Sequence, residues 1–315
     1  MITDPAVLID LLGLDPSMKP AARRAAELFG FRVTRGFASR MRHGDPSDPL
    51  LRQVLPVIDE ALDGPDGFVS DPVGDLNARV APGILHKYDG RALMVVTGAC
   101  GVHCRYCFRR HFPYQLENPP GSTAAALAYL RDTPSIREVI LSGGDPLTLS
   151  DRRLSELVTQ LGEIPHIRRL RIHTRQPVVA PARVNDSLLD WMRSVAHPTT
   201  VVIHANHPNE IDGDVAFAMS RLRKTGAVLL NQSVLLRGVN DDVRTLIELS
   251  ERLFDIGVIP YYLHVLDRVR GAAHFLVPDP SARELHLALR ASLPGYLVPK
   301  LAREQPGKTS KTLLV

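Results

Sequence analysis

Short apolar runs, rich in β-branched residues, recur along the last two thirds of the chain: Leu93–Val96, Val139–Leu141, Leu170–Ile172, Thr200–Ile203, Val228–Leu230 and Ile259–Val265. Segments with helical spacing of apolar residues separate them: Ala124–Leu130, Leu154–Leu161, Leu188–Val195, Val215–Leu222 and Thr245–Phe254. Alternation of this kind predicts parallel βαβ units. Runs that are apolar on both faces predict strands covered on both sides. Six units predict an α/β fold with an incomplete (β/α) barrel; a doubly wound open sheet is the alternative. Before residue 91 the pattern changes. Ala21–Phe29, closed by Gly30, has the composition of a helix with a C-terminal stop. Asp45–Leu50 predicts a turn into a short helix, and residues 61–84, rich in Gly, Pro and Asp, predict irregular connection.

Polar residues follow each apolar run. They are the cysteine-rich loop after the first, Ser142-Gly143-Gly144-Asp145-Pro146 after the second and His173-Thr174-Arg175 after the third. His204–Glu210 follow the fourth and Asn231-Gln232-Ser233 the fifth, while the sixth ends in His264 and leads to Asp267. Sites in barrels of parallel strands occupy the C-terminal strand ends, so these six segments predict one shared rim.

The chain has 315 residues and three cysteines, Cys100, Cys104 and Cys107, all within eight positions. An odd count excludes a complete disulfide framework, and the clustering predicts a reducing compartment and a metal site. The spacing C-x3-C-x2-C places three thiolates on one loop, a set that can hold three irons of a 4Fe-4S cluster and leave the fourth open. The alternative is a zinc site with His103 as fourth ligand. Zinc sites take paired C-x2–4-C spacings or ligands from separated segments, and His103 lies between two of the cysteines.

This motif, with Tyr106 before its last cysteine, resembles the radical S-adenosylmethionine (SAM) superfamily. The resemblance implies a partial (β/α)6 barrel, and a cluster on Cys100, Cys104 and Cys107 whose open iron is chelated by the amino and carboxylate groups of SAM. Ser142, Gly143, Gly144 and Asp145 resemble the glycine-rich strand end that receives the methionine amino group. Two glycines there permit close backbone approach; a plain strand-to-helix turn, with Asp145-Pro146 starting the helix, is the alternative.

A narrower resemblance runs from about residue 80 to the C-terminus. His86-Lys87-Tyr88, Arg91, Cys107–Phe112, Asn206–Glu210, Asn231–Asp241 and Gly295–Pro299 are similar to the lysine 2,3-aminomutase family. The length and the Ser310-Lys311-Thr312 tail are most similar to the bacterial branch that makes (R)-β-lysine for a separate ligase to attach to elongation factor P. The resemblance implies pyridoxal phosphate (PLP) held as a Schiff base on Lys311, with Lys308 as runner-up and two solvated tail lysines as the alternative. It implies Lys87, Tyr88 and Arg91 around the PLP phosphate and ring, His264 near the PLP where relatives often have tyrosine, and Gln232 near SAM. It implies Arg109 at the lysine α-carboxylate, which a planar guanidinium suits, and Asp267 at the ε-ammonium; a basic surface patch at Arg109-Arg110 and a helix cap at Asp267 are the alternatives. Glu304 stands where clostridial relatives carry a second aspartate for that ammonium, and no cysteines remain for the interface zinc of those relatives. SAM cleavage then yields a 5′-deoxyadenosyl radical that takes hydrogen from C3 of lysine, and positioning of that carbon is decisive.

The division that follows is 1–85, a mostly helical extension; 86–285, the partial barrel; and 286–315, the segment with the PLP lysine. Hydrophobic content of 44%, charged content of 23% and a formal net charge of +4 exclude a disordered chain, a coiled coil and a fibre. The mild basicity suits anionic cofactors. No apolar run has the roughly 20 residues of a membrane helix, and the N-terminus has no basic region followed by an apolar core, so a cytoplasmic protein is expected. The expected partners are L-lysine, a flavodoxin- or ferredoxin-type reductant and, by function, the elongation factor P ligase; no nucleic acid or membrane is expected. The competing readings are a PLP-independent radical SAM enzyme that modifies RNA or protein, a non-enzymatic zinc module and a catabolic free-lysine aminomutase.

Overall fold

The computed structural model describes every residue except 63, 118–120 and 315. The chain begins with helices α1 (Pro5–Leu11) and α2 (Lys19–Leu28) and the short turns α3 (Arg35–Ala38) and α4 (Pro49–Arg52). Asp48 caps α4, accepting from the amides of Leu50 and Leu51, which is the turn into a short helix that Asp45–Leu50 predicts. The stop of α2 differs from expectation. Gly30 does not close the helix in a left-handed turn; Phe29 is already extended (φ −148°, ψ 116°). The reason is packing: Arg105 and Arg110 lie against the Phe29 ring, 4.9 and 4.8 Å from its centroid, and His103 stacks on it.

Among the described residues ten strands form one sheet whose order follows the sequence. β1 (Arg79–Ala81) and β2 (Ile84–Tyr88) are an antiparallel hairpin joined to β3 (Arg91–Thr97). From β3 the sheet is parallel through β4 (Glu138–Gly143), β5 (Arg169–Thr174), β6 (Thr199–Ile203), β7 (Val228–Leu235), β8 (Ile259–Val265) and β9 (Lys300–Arg303). β10 (Thr312–Leu313) returns antiparallel to β9. The six expected strands are β3 to β8. The flanking four are additions, because β1, β9 and β10 are too short to show a period and β2 carries the polar pair His86-Lys87.

The crossovers carry α5 (Tyr114–Glu117), α6 (Ser122–Arg131), α7 (Asp151–Gly162), α8 (Gln176–Val179), α9 (Asp186–Arg193), α10 (Gly213–Arg223), α11 (Val243–Asp255) and α12 (Asp279–Ser292). Ser150, Asn185, Asp212 and Asp242 cap four of them with side-chain oxygens. Strand side chains alternate as the pleat requires. Met94, Val96, Val139, Leu141, Leu170, Ile172, Val201 and Ile203 pack outward into the main core with the helices. The opposite face holds Arg91, Leu93, Ile140, Ser142, Arg171, His173, Val202, His204, Tyr262 and His264, which line a cavity of about 610 Å³. The strands are therefore not apolar on both faces; the inner face is a site. None of the helices among the described residues is long and apolar enough to cross a membrane.

The N-terminal helices have their own core (Leu8, Ile9, Phe37, Leu50, Leu51, Val54), which reaches Val102 of the cysteine loop. A buried ion triad fastens the same junction. Glu60 accepts from Arg105 at 2.8 and 2.6 Å and from Arg110 at 2.7 Å. Removing one member leaves buried charge uncompensated, at a cost of about 3–5 kcal/mol. Glu60→Ala is expected to lower the denaturant midpoint accordingly and to expose the N-terminal helices to protease first. An unchanged midpoint contradicts this role for the triad.

Candidate active site

The cysteine loop leaves the end of β3 and folds against the end of β4. Gly143 has φ +122°, and a Cβ on it would lie 2.4 Å from the carbonyl oxygen of Thr97; a Cβ on Gly144 would lie 2.4 Å from that of Ala99. The Gly144 and Asp145 amides donate to those same carbonyls, both at 2.7 Å. The two glycines thus let the chain's own cysteine loop come close, and both border the cavity. Asp145 sets the turn. Its carboxylate accepts from the Thr174 hydroxyl and from the amides of Leu147, Arg175 and Gln176 at 2.6–3.0 Å. The strand-to-helix alternative describes Asp145 well, and the residue still borders the cavity. Ser142 accepts from Arg109 Nη1 at 3.2 Å, and the Gly143 carbonyl accepts from the Tyr114 hydroxyl at 2.8 Å.

Cys100, Cys104 and Cys107 are free, half-buried, and line the cavity together. Burial, and then the neighbouring thiols, push Cys100 up and Cys107 up to about 11. Thiols that resist ionisation in this way suit a cationic iron centre, which deprotonates its ligands outright. His103 borders the same cavity, but its Nδ1 is engaged 2.7 Å from the Gly30 carbonyl oxygen. Among the described residues no three His, Cys, Asp or Glu side chains converge as a single metal ion requires. The donor set fits a cluster, which spreads its thiolates over several irons.

At the other end of the cavity stands Lys311. Its Nζ is 2.9 Å from Glu304 Oε2 and 3.4 Å from His264 Nε2, and it lies 5.4 Å from the centroid of the Tyr262 ring. Lys308 is exposed and is not among the lining residues. Glu304 also accepts from the Tyr88 hydroxyl (2.8 Å) and Lys87 Nζ (3.4 Å). Burial alone would raise its carboxyl; Lys311 and Lys87 outweigh that and hold it at about 2. Arg91 lies 4.4 Å from the Tyr88 ring centroid and borders the cavity, so it is not a solvated edge residue. Gln232, next to an irregularity in the β7–β8 pairing, borders it too.

Asp267 has no hydrogen-bond or ion-pair partner for its carboxylate within the described residues. Burial raises it to about 7, with Lys311 pulling against the shift and Glu304 adding to it. His264 is held neutral, chiefly by burial and next by Lys311. Apart from the runner-up Lys308, every residue singled out in the sequence for the cluster, the cofactors or the substrate thus borders one cavity.

Sequence reasoning missed several members of the site. Asp75 is buried and shares its carboxylate between Lys87 Nζ (2.5 Å) and Arg109 Nε (2.6 Å). Arg171, Tyr261 and Tyr262 also line the cavity, beside His173 and His204 of the expected rim. The period-two placement of Arg171 with His173 in β5 was the available signal for the first of them; nothing local marks Asp75.

A match to the radical SAM superfamily covers residues 94–250. The L-lysine 2,3-aminomutase of Escherichia coli is 51% identical over all of this chain and 92% of its own length. That of Haemophilus influenzae is 47% identical over 99% of this chain and 92% of its length. That of Clostridium subterminale is 38% identical over 89% of this chain and 67% of its length.

The glycine contacts give a test of how the loop is set. Gly144→Ala is expected to displace the cysteine loop and to lower iron per protein after anaerobic reconstitution. Gly213→Ala, where a Cβ meets nothing within 4 Å, is expected to leave iron content unchanged. Equal iron in both variants contradicts the close-approach role.

Proposed function

The chain belongs to the radical SAM superfamily and, within it, to the lysine 2,3-aminomutase family, and from that premise we propose that it converts L-α-lysine to (R)-β-lysine. The observation that carries the reading is one cavity with three thiols at one end, a lysine at the other, and between them a guanidinium and an unpaired carboxylate. When bound, the cluster and SAM supply a radical strong enough to take hydrogen from an unactivated C–H bond, and PLP supplies a π-system over which an unpaired electron spreads.

The chain's own residues do the holding. Cys100, Cys104 and Cys107 carry the cluster, and Ser142, Gly143, Gly144, Asp145 and Gln232 border SAM. Lys311 carries PLP; Lys87, Tyr88, Arg91 and His264 surround it. Arg109 takes the α-carboxylate, Asp267 the ε-ammonium, and Glu304 keeps Lys311 in place and adds negative charge at the ammonium end. Two anchors at opposite ends of a flexible substrate fix the carbon between them, and effective molarity of this kind offsets several kcal/mol of barrier. The division at residues 85 and 285 belongs to the same proposal, with the last segment bringing Lys311. So does the supply of β-lysine for elongation factor P, supported by the Ser310-Lys311-Thr312 tail and by three cysteines that all lie at the cavity. A flavodoxin- or ferredoxin-type reductant completes it.

The experiment is an assay of L-lysine with reduced cluster, SAM and PLP, with chiral analysis of the product. (R)-β-lysine is the expected product; turnover without PLP dependence favours the PLP-independent reading. Lys311→Ala is expected to lose the visible PLP absorbance and Lys308→Ala to keep it; the reverse moves the assignment to Lys308.

The Asp267 environment gives a pH dependence. Its carboxyl is raised, so below about pH 7 it is protonated and cannot pair with an ammonium. Lysine binding to the holoenzyme is therefore expected to tighten as pH rises from about 6 to about 8, by at most about tenfold per unit, since one proton is displaced. Calorimetric titration measures it, and Asp267→Asn is expected to weaken binding and flatten the dependence. A slope that survives in Asp267→Asn contradicts the assignment.

A further inference from the structure

Arg175 follows β5 and enters the cavity wall beneath the cysteine loop. Its Nη1 donates to Cys104 Sγ at 2.7 Å and to the Tyr106 hydroxyl at 2.8 Å. Its Nη2 donates to Gln53 Oε1 at 2.6 Å and to Glu210 Oε2 at 2.8 Å. The guanidinium also lies 5.3 Å from the Phe37 ring centroid. Glu210 is fully buried and takes further hydrogen bonds from the Gln53 side chain (3.0 Å) and the Asn206 amide (2.8 Å). Asn206 Nδ2 in turn donates to Gln53 Oε1 and to the Tyr106 hydroxyl. The guanidinium therefore cannot turn away from the sulfur without breaking several buried hydrogen bonds. Among the described residues, Cys104 alone of the three cysteines receives a side-chain hydrogen bond at its sulfur.

A cation donating to a thiolate disperses its negative charge. One-electron reduction of a cluster adds negative charge to its sulfurs, so such a donor favours the reduced state; hydrogen bonds to the sulfurs and burial are recognised levers on cluster potential. We propose that Arg175, held by Glu210 and by Gln53 of the N-terminal helices, raises the reduction potential of the cluster through its hydrogen bond to Cys104 Sγ. Glu210 limits that effect by compensating the guanidinium charge. The N-terminal core already packs against Cys104, and Gln53 adds a route to its sulfur through two hydrogen bonds.

The test is a spectroscopically monitored redox titration of the reconstituted protein, with dithionite as the one-electron donor and no substrate. It is independent of what the enzyme acts on, so failure of the lysine reading leaves it intact. Arg175→Lys, and further Arg175→Gln, are expected to lower the midpoint potential, with about a tenfold lower reduced-to-oxidised ratio at fixed ambient potential, or about 59 mV. Glu210→Gln leaves the guanidinium uncompensated and is expected to shift the potential the opposite way. Opposite shifts at unchanged iron and sulfide content support the proposal, because loosened packing alone gives no change of sign. Equal midpoints, or shifts in the same direction, overturn it. Loss of iron from the Arg175 and Glu210 variants alike assigns these residues to loop assembly and overturns it as well.

Discussion

A charge placed inside a barrel must find a partner there, because the loss of its hydration costs several kcal/mol. That constraint shapes the inner face of this sheet. Five side chains form a line of alternating sign: Lys311, Glu304, Lys87, Asp75 and Arg109, joined at 2.9, 3.4, 2.5 and 2.6 Å. The line runs from the lysine proposed for PLP to the guanidinium proposed for the substrate carboxylate. Each member compensates its neighbour's charge, so the side chains of this face are held in place by ion pairs as well as by packing. Asp75 takes Arg109 at Nε, while Nη1 points to Ser142. The fork is thereby oriented before any ligand arrives.

The cysteine loop obeys a second constraint of the same kind. It must be rigid enough to present three thiols and close enough to β4 to share a wall with the SAM region. Rigidity comes from the N-terminal helices, through Val102 in their core and through Glu60, which holds Arg105 and Arg110. Closeness comes from the absence of side chains at Gly143 and Gly144. Neither device works alone: the triad fixes where the loop sits, and the glycines remove the atoms that would collide there.

How much of this could be seen in the chain itself follows from the range of each interaction. The six central strands were visible because a buried strand must be apolar over several consecutive residues. The helices between them were visible because their buried faces recur with helical spacing. The thiol motif was visible because its three members lie on one loop. Asp75 and Glu60 were not, since each finds its cations 12 to 50 residues away, and a lone carboxylate in a Gly- and Pro-rich stretch looks like any turn residue. Gln53 and Glu210 meet Arg175 across 122 and 35 residues, and only the folded chain brings them together. The edge strands escaped for a different reason. β9 and β10 are held by their neighbours and have almost no pattern of their own. The inner faces differ from a uniformly apolar strand because they line the site, and Arg171 and His173 already break the apolar run in β5.

Asp267 and Glu304 show how one cavity gives two carboxylates different work. Both are strongly desolvated, and desolvation raises both. Glu304 has two ammonium groups and a phenol against it, so the charged form wins and the carboxyl sits at about 2. Asp267 has no such partner, and it rests at about 7. The longer side chain of Glu304 is what lets one carboxylate reach Lys311, Lys87 and Tyr88 together. A group already satisfied gains little from another cation, whereas an unpaired one gains the whole of its lost interaction. Under the proposed function, Asp267 is accordingly the residue left unsatisfied for an incoming ammonium, and Glu304 is the one paired with Lys311.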